Sequence, residues 1–421
     1  MRDRASMYGF HAFAIVAVCL CLYVPLAQAT EEELAGDDDA SEWGERESLY
    51  RGLTDDDFAK SIPMFGSDWR FSFGGYVKLD VIGDFSGTGD PYQFITATIP
   101  VEGTSGPQPG SYAQIHAKES RFAFEVRNYA EGLPANRAFI ELDFFDESTS
   151  GPRLRQAYLQ WGNLTAGQTW TTLTELRQLP FLIDFAYGDA LYGGRTAQLR
   201  WEQSSGDRFD WAVAVEDWSD EAIANVDDQP GIARSNFPLL ALRGTQDFGG
   251  GLVTLGGSLA QLRWDGSGST SDATALQWAL VVGGRIYLDG GQRHYVGFGG
   301  SYGDGSSQNI ISLAEGGTAN AVLLTDGTLE TQPAWNSQLA LHYEWSDAFS
   351  SNFSLAAARI DPSELIGASD LERTYAGHIN LIWQSHQIFQ TGIEYMYGER
   401  ENVNGDSGSA SRIQLMTMFS F

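Results

Sequence analysis

The last ten residues limit the possible folds more than any other stretch of the chain. Ile413, Leu415, Thr417, Phe419 and Phe421 share one parity, while Arg412, Gln414, Met416, Met418 and Ser420 share the other. Strict alternation makes a β-strand with one apolar face and one face that tolerates polar groups. The sequence stops on an aromatic ring with no polar tail. That ending is expected of a strand closing a membrane barrel, where no edge can stay unpaired in lipid. Phe421 is then expected in an interfacial aromatic girdle, with a buried edge strand as the alternative.

Only one apolar run stands out, residues 12–24, too short to span as a helix. Arg2 and Arg4 precede it and Ala27-Gln28-Ala29 follows, the order of a secretory signal over residues 1–29. Both cysteines, Cys19 and Cys21, lie inside it, and Val18 and Leu20 are wrong for lipoprotein processing. The exported chain is therefore expected to lack disulfides and thiol chemistry. Removing Arg2, Arg4 and Asp3 from 26 basic and 55 acidic residues leaves 24 against 54, a net charge of −30. Such acidity argues against nucleic acid as a partner. Residues 30–68 are expected to be a short acidic periplasmic extension: 30–60 holds twelve acids against Arg46, Arg51 and Lys60. Thr54 with Asp57 is expected to cap one short helix through Ser61.

From Trp69 onward the chain alternates. Phe71, Phe73, Val77 and Leu79 take one face, and Arg70, Ser72, Tyr76, Lys78 and Asp80 the other. Sixteen candidate strands begin near 70, 112, 136, 152, 163, 194, 207, 236, 251, 272, 292, 333, 349, 372, 387 and 411. Alternation leaves the parity open near 152, 251, 272 and 349. Connections alternate between long (84–111, 146–151, 173–193, 217–235, 265–271, 304–332, 361–371, 400–410) and mostly tight. The expected fold is all-β, a transmembrane antiparallel barrel of about sixteen strands over residues 69–421. Barrels of that size leave an aqueous channel. The inward set, which includes Lys78, Asp80, Arg121, Glu125, Arg137, Glu141, Asp143 and Arg200, carries both charge signs. On the lipid side each Arg or Lys would cost roughly 2–4 kcal/mol at the midplane, so these residues are expected to line water.

The connection 173–193 is unusually apolar, with Leu176, Leu179, Phe181, Leu182, Ile183 and Phe185. It is expected to fold back into the lumen and narrow the pore, offering Glu175, Arg177, Asp184 and Asp189 to the eyelet; packing on a neighbouring subunit is the alternative. Lys78, Arg121, Arg137 and Arg200, with Arg153 and Arg155 if they point inward, form a basic ladder suited to carboxylates. The competing reading is that lumen charges merely pair with one another.

Enzyme signals are weak. Gly299-Gly300-Ser301-Tyr302-Gly303 fits the nucleophile-elbow pattern but has no following helix, and the histidines show no metal spacing. Asp84 with Asp90, and Gly303-Asp304-Gly305, are minor calcium candidates, and no cofactor is expected.

Several short motifs occur in order: Gly74-Gly75-Tyr76-Val77-Lys78-Leu79-Asp80, Glu119-Ser120-Arg121-Phe122-Ala123-Phe124, Trp161-Gly162-Asn163, Gly167-Gln168-Thr169-Trp170, His378-Ile379-Asn380 and Glu394-Tyr395-Met396-Tyr397-Gly398. Together with the Phe421 ending they resemble the DcaP-like family of trimeric outer-membrane porins across about 70–421. The resemblance implies a homotrimer in the outer membrane of a Gram-negative bacterium. It would meet lipid and lipopolysaccharide, be read by the barrel-assembly machinery through Phe421, and pass small anionic solutes such as dicarboxylates. The family's arginine-lined constriction maps onto Arg121, Arg137 and Arg200. Residues 30–65 are too short and acidic for the longer coiled-coil segment that family members often carry. The sequence reading is thus a passive porin and not an enzyme, with Lys78, Arg121, Arg137, Arg155, Arg200, Glu175 and Asp184 lining the pore. An unselective or cation-preferring pore, or a plugged barrel acting as enzyme or adhesin, remains the alternative.

Overall fold

The computed structural model describes residues 58, 61–64, 68–101, 110–145, 151–217, 223–268 and 270–421. The expected signal (1–29) lies outside them. So does most of the acidic extension, and the short helix expected through Ser61 apart from Phe58 and Ser61.

Sixteen antiparallel strands close into a barrel. β1 (Trp69–Asp84) is followed by β2, which breaks at 117–120 into Tyr112–His116 and Arg121–Asn128. Next come β3 (Asn136–Asp143), β4 (Arg153–Trp161), β5 (Leu164–Trp170), β6 (Arg195–Ser204), β7 (Phe209–Glu216) and β8 (Leu239–Asp247). β9 (Gly251–Gly266), β10 (Ala273–Tyr287), β11 (Tyr295–Asp304) and β12 (Pro333–Ser346) continue the wall. β13 (Phe349–Ile360), β14 (Leu371–His386), β15 (Phe389–Asn402) and β16 (Ser407–Ser420) complete it. One difference from the sequence reading lies at 400–410. β15 and β16 pair as far as Glu401 with Ser407, so the connection is a tight turn built around Gly405 at φ 84° rather than a long loop.

Alternation sets which face meets lipid. Val77, Leu79, Leu255, Leu280 and Ile379 are exposed on the outside, whereas Arg412, Gln414, Met416 and Met418 are buried inside. Trp161, Phe209, Phe248, Trp345, Phe349 and Trp383 are outward-facing or near-terminal at the tight-turn end, the position of an interfacial girdle. The short strands β3, β4, β5 and β7 have 8, 9, 7 and 8 residues, against 16 in β9 and β14.

The final strand closes the barrel on β1, with Tyr76 opposite Ser420 and Asp84 opposite Arg412. The closure runs to the last residue. Gly75 N donates to Phe421 O (3.2 Å) and Phe421 N donates to Gly75 O (3.0 Å). The Phe421 ring lies 5.4 Å from Phe73 and 6.1 Å from Phe122. Such aromatic pairs contribute about 0.5–1.5 kcal/mol each beyond area burial. Deleting Phe421 removes the hydrogen-bond pair and both ring contacts from the seam. It is expected to lower the yield of heat-modifiable, detergent-resistant barrel, and an unchanged yield would show that the seam does not depend on it.

Candidate functional site: the lumen and its inward loop

Residues 171–194, between β5 and β6, pack on inward-facing side chains around most of the barrel. A 3-10 turn (Leu176–Gln178) starts the excursion, with the Glu175 carboxylate accepting from Arg177 N at 2.9 Å. Leu176, Leu179, Phe181, Leu182, Ile183 and Leu191 are all buried, which is why this segment is not a water-exposed loop. Buried backbone groups must find partners, and the strand side chains supply them. Tyr295 Oη donates to Leu179 O (3.1 Å), Asn380 Nδ2 to Phe181 O (2.8 Å), and Lys78 Nζ to Ile183 O (2.6 Å). Ile183 N donates to the Glu394 carboxylate (2.6 Å), and Gln338 Nε2 to Tyr187 O (3.0 Å). The contacts therefore reach β1, β11, β12, β14 and β15.

Glycines make room for the closest approach. A Cβ at Gly297 would stand 1.8 Å from Gln178 O, and one at Gly299 1.8 Å from Gln178 Oε1. Only a residue without a side chain lets the loop lie this close to β11. The glycine-rich run that fits a nucleophile elbow is thus a seat for Gln178, with Ser301 Oγ hydrogen-bonded to Asn336.

Two further connections join this loop. Residues 85–101 place Phe94 N on Asp184 (2.8 Å) and Thr96 N on Asp189 (3.2 Å), and the Thr96 hydroxyl donates to Asp189 as well. In 305–332, Ser312 N donates to Asp189 O (3.0 Å) and Gly193 N to Asn309 O (2.6 Å). Asp184 and Asp189 therefore hold three connections together instead of facing open water. Glu175 is likewise buried, paired with Arg177 (2.6 Å) and accepting from Thr254 (2.6 Å). Burial alone would raise its pKa, but Arg177 holds it down at about 2. The calcium candidate near β1 is otherwise engaged, since Asp84 pairs with Arg412 at 2.8 Å. Among the described residues no His, Cys, Asp and Glu cluster is arranged for a metal.

Burial pushes the Asp189 carboxyl up to about 7, against the opposing pull of the Thr96 donors. A carboxyl whose folded pKa is raised holds its proton more tightly when packed, so packing is favoured most below about pH 4 and weakens as pH rises towards 7. Amides of the interlocked segments 94–99 and 183–192 are expected to be less protected at pH 8 than at pH 5 after correction for intrinsic exchange. Asp189→Asn should flatten that dependence, and equal protection in the parent protein would refute it.

The wall from β2 to β8 carries the arginines. Arg155 Nε lies 2.5 Å from Glu141, and Arg121 Nε lies 4.0 Å from the same carboxylate. Arg127 and Arg137 share Glu125 (2.8 and 3.8 Å), and Arg200 (3.5 Å) shares Glu202 with Arg243. Arg153 and Arg155 both point inward because the register shifts between Glu141 and Leu142, a bulge that alternation cannot reveal. Both also contact Asp143. Of the seven residues singled out from sequence, Arg121, Arg137, Arg155 and Arg200 share this wall. Lys78 is turned to the loop and to Glu119, while Glu175 and Asp184 secure the loop. Sequence reasoning overlooked Arg243, whose alternation with exposed Leu240 and Leu242 does mark it as inward. It also overlooked Arg195, which stacks over Trp170 at 4.7 Å.

The profile of the DcaP outer membrane protein family matches residues 57–421. In structure the chain resembles the outer membrane channel DcaP of Acinetobacter baumannii, with TM-score 0.72 and 19% identity over 84% of this chain and 98% of that one. An anion-selective porin from Comamonas acidovorans matches with TM-score 0.56 and 9% identity, over 84% and 100%. OmpT of Vibrio cholerae matches with TM-score 0.53 and 12% identity, over 85% and 99%. A search of curated proteins by sequence finds no match. A closed sixteen-strand barrel with an apolar outside and a charged inside, matched by the family profile over all its strands, identifies this chain as a member of the DcaP outer membrane protein family, porins of the Gram-negative outer membrane.

Proposed function

We propose that this porin passes small hydrophilic solutes by diffusion, that the loop 173–193 constricts its lumen, and that it prefers anions of the dicarboxylate type. The observation that carries the preference is the repeated sharing of one glutamate by two arginines: Arg121 and Arg155 on Glu141, Arg127 and Arg137 on Glu125, Arg200 and Arg243 on Glu202. In these ion pairs arginines outnumber acids, even with Asp143 counted, which Arg153 and Arg155 share. Spaced along one wall, they suit a solute with two carboxylates, since guanidinium binds carboxylate in a forked geometry. The reversal potential of the parent pore in a salt gradient tests the reading. A potential on the anion side is expected, and cation selectivity would overturn it in favour of the pore suggested by the acidic composition.

The proposed assembly is a homotrimer. Eight residues at about 3.3 Å and a tilt near 40° rise only about 20 Å, short of an apolar band of about 25 Å. The low wall of β3, β4, β5 and β7 is therefore suited to being covered by neighbouring subunits. Lipid and lipopolysaccharide would then meet the taller strands, and Phe421 would serve the assembly machinery as well as the seam.

A further inference from the structure

The inward loop leaves and rejoins the wall at one place. Trp170 ends β5 and Arg195 begins β6, and the two stand directly opposite each other as the last rung between these strands. Just beyond them Thr171 N donates to Gly194 O (2.9 Å), which closes the neck of the loop. The Arg195 guanidinium lies over the Trp170 ring at 4.7 Å, and that ring meets Tyr187 of the loop edge-on at 5.7 Å. Arg155 Nη2 in turn donates to Tyr187 Oη (3.1 Å). Arg195 therefore sits where the inward loop touches the arginine wall.

Its surroundings are short of negative charge. The ionisable groups that bear on it are Arg155, Tyr187, Glu141 and Arg153. Both acids on this part of the wall are already engaged. Glu141 takes Arg155 at 2.5 Å and Arg121 at 4.0 Å, while Asp143 takes Arg153 at 2.7 Å and Arg155 at 2.8 Å. Among the described residues no carboxylate pairs with Arg195, and its buried Nη1 has no hydrogen-bond partner.

Such a position is unfavourable for a cation on stability grounds. Arg153 and Arg155 repel it, and a buried donor without a partner is destabilising. An apolar side chain would cover Trp170 with neither penalty. The arrangement suits an anion instead. Stacking on an indole uses the face of a guanidinium and leaves its forked N–H edge open to a carboxylate.

We propose that Arg195 holds one carboxylate of a dianionic solute at the neck of the loop, while Arg121 and Arg155 hold the other. The proposal rests on the anion-pore reading above and deepens it, by naming the residue that tells two carboxylates from one. A monocarboxylate has no second end to place on Arg195, so the preference for succinate over acetate depends on this side chain.

Titration calorimetry on the folded protein in detergent, with succinate and acetate as probes, tests the assignment. Arg195→Gln is expected to lower the ratio of succinate to acetate affinity about tenfold. Arg195→Lys keeps the charge but loses the fork, so the ratio should fall by about threefold, and this variant decides the matter if Arg195→Gln does not fold. A ratio that stays at the parent value in the folded variants, or a parent that binds neither acid, would overturn the assignment. Cation selectivity of the parent in a bilayer would refute the anion-pore reading separately, because the calorimetric ratio needs no conduction.

Discussion

Removing residues 174–187 is expected to raise single-channel conductance severalfold. The segment fills the inside of the barrel from β5 across to β11, β12, β14, β15 and β1, through Tyr295, Gln338, Asn380, Glu394 and Lys78. It supplies no rung to the barrel ladder, in which β5 pairs with β6 from Leu164 opposite Trp201 to Trp170 opposite Arg195. The strands therefore keep their pairing without it. The strand side chains that hydrogen-bond to it would meet water, so the deletion avoids the cost of orphaned buried polar groups, although Trp170, Met416 and Met418 lose apolar cover. A milder version is Gly297→Val. Its Cβ would fall 1.8 Å from Gln178 O, so the loop must shift off β11. An intermediate rise in conductance is expected. Unchanged conductance in folded barrels of both variants would mean that the loop does not set the narrowest section.

Replacing Arg121 and Arg137 with Ser is expected to move the reversal potential towards cations and to weaken succinate block by roughly an order of magnitude. Two unit charges 4 Å apart interact by about 1 kcal/mol in water and about 4 kcal/mol at an effective dielectric constant of 20. A narrowed lumen lies between those limits, so the loss of two charges at the wall outweighs acids in bulk-exposed connections. The shared glutamates amplify the effect, since Glu141 and Glu125 would each keep one arginine fewer. Arg121 is deeply buried, close to the Tyr76 ring at 5.2 Å, so folding of the double variant must be checked. Arg200→Ser alone should shift selectivity the same way by less. If both variants fold, conduct and bind succinate like the parent, the arginine wall does not select.

The sequence by itself determined the barrel. Period-two alternation is a local property, so Ile413, Leu415 and Phe419 against Arg412, Gln414 and Met418 declare their faces with no knowledge of any neighbour. Turn residues at one end and long connections at the other then fix an antiparallel order, and a run such as Phe181, Leu182 and Ile183 marks the loop that will not stay in water. Exceptions arise where pairing partners decide: the bulge that turns both Arg153 and Arg155 inward, and the tight turn after Asn402. The tertiary structure alone decided which wall the loop covers. That outcome depends on contacts such as Lys78 with Ile183, and Ile183 with Glu394, which join residues more than a hundred positions apart and leave no local pattern. For the same reason Asp184 and Asp189, indistinguishable in sequence from eyelet acids, lie behind the loop holding backbone N–H groups of 94–96, while Gly297 and Gly299 are explained only by the Gln178 they admit. Alternation fixes the face a side chain takes, but its partner there is fixed by chain closure, because the lumen brings sixteen strands within reach of one loop.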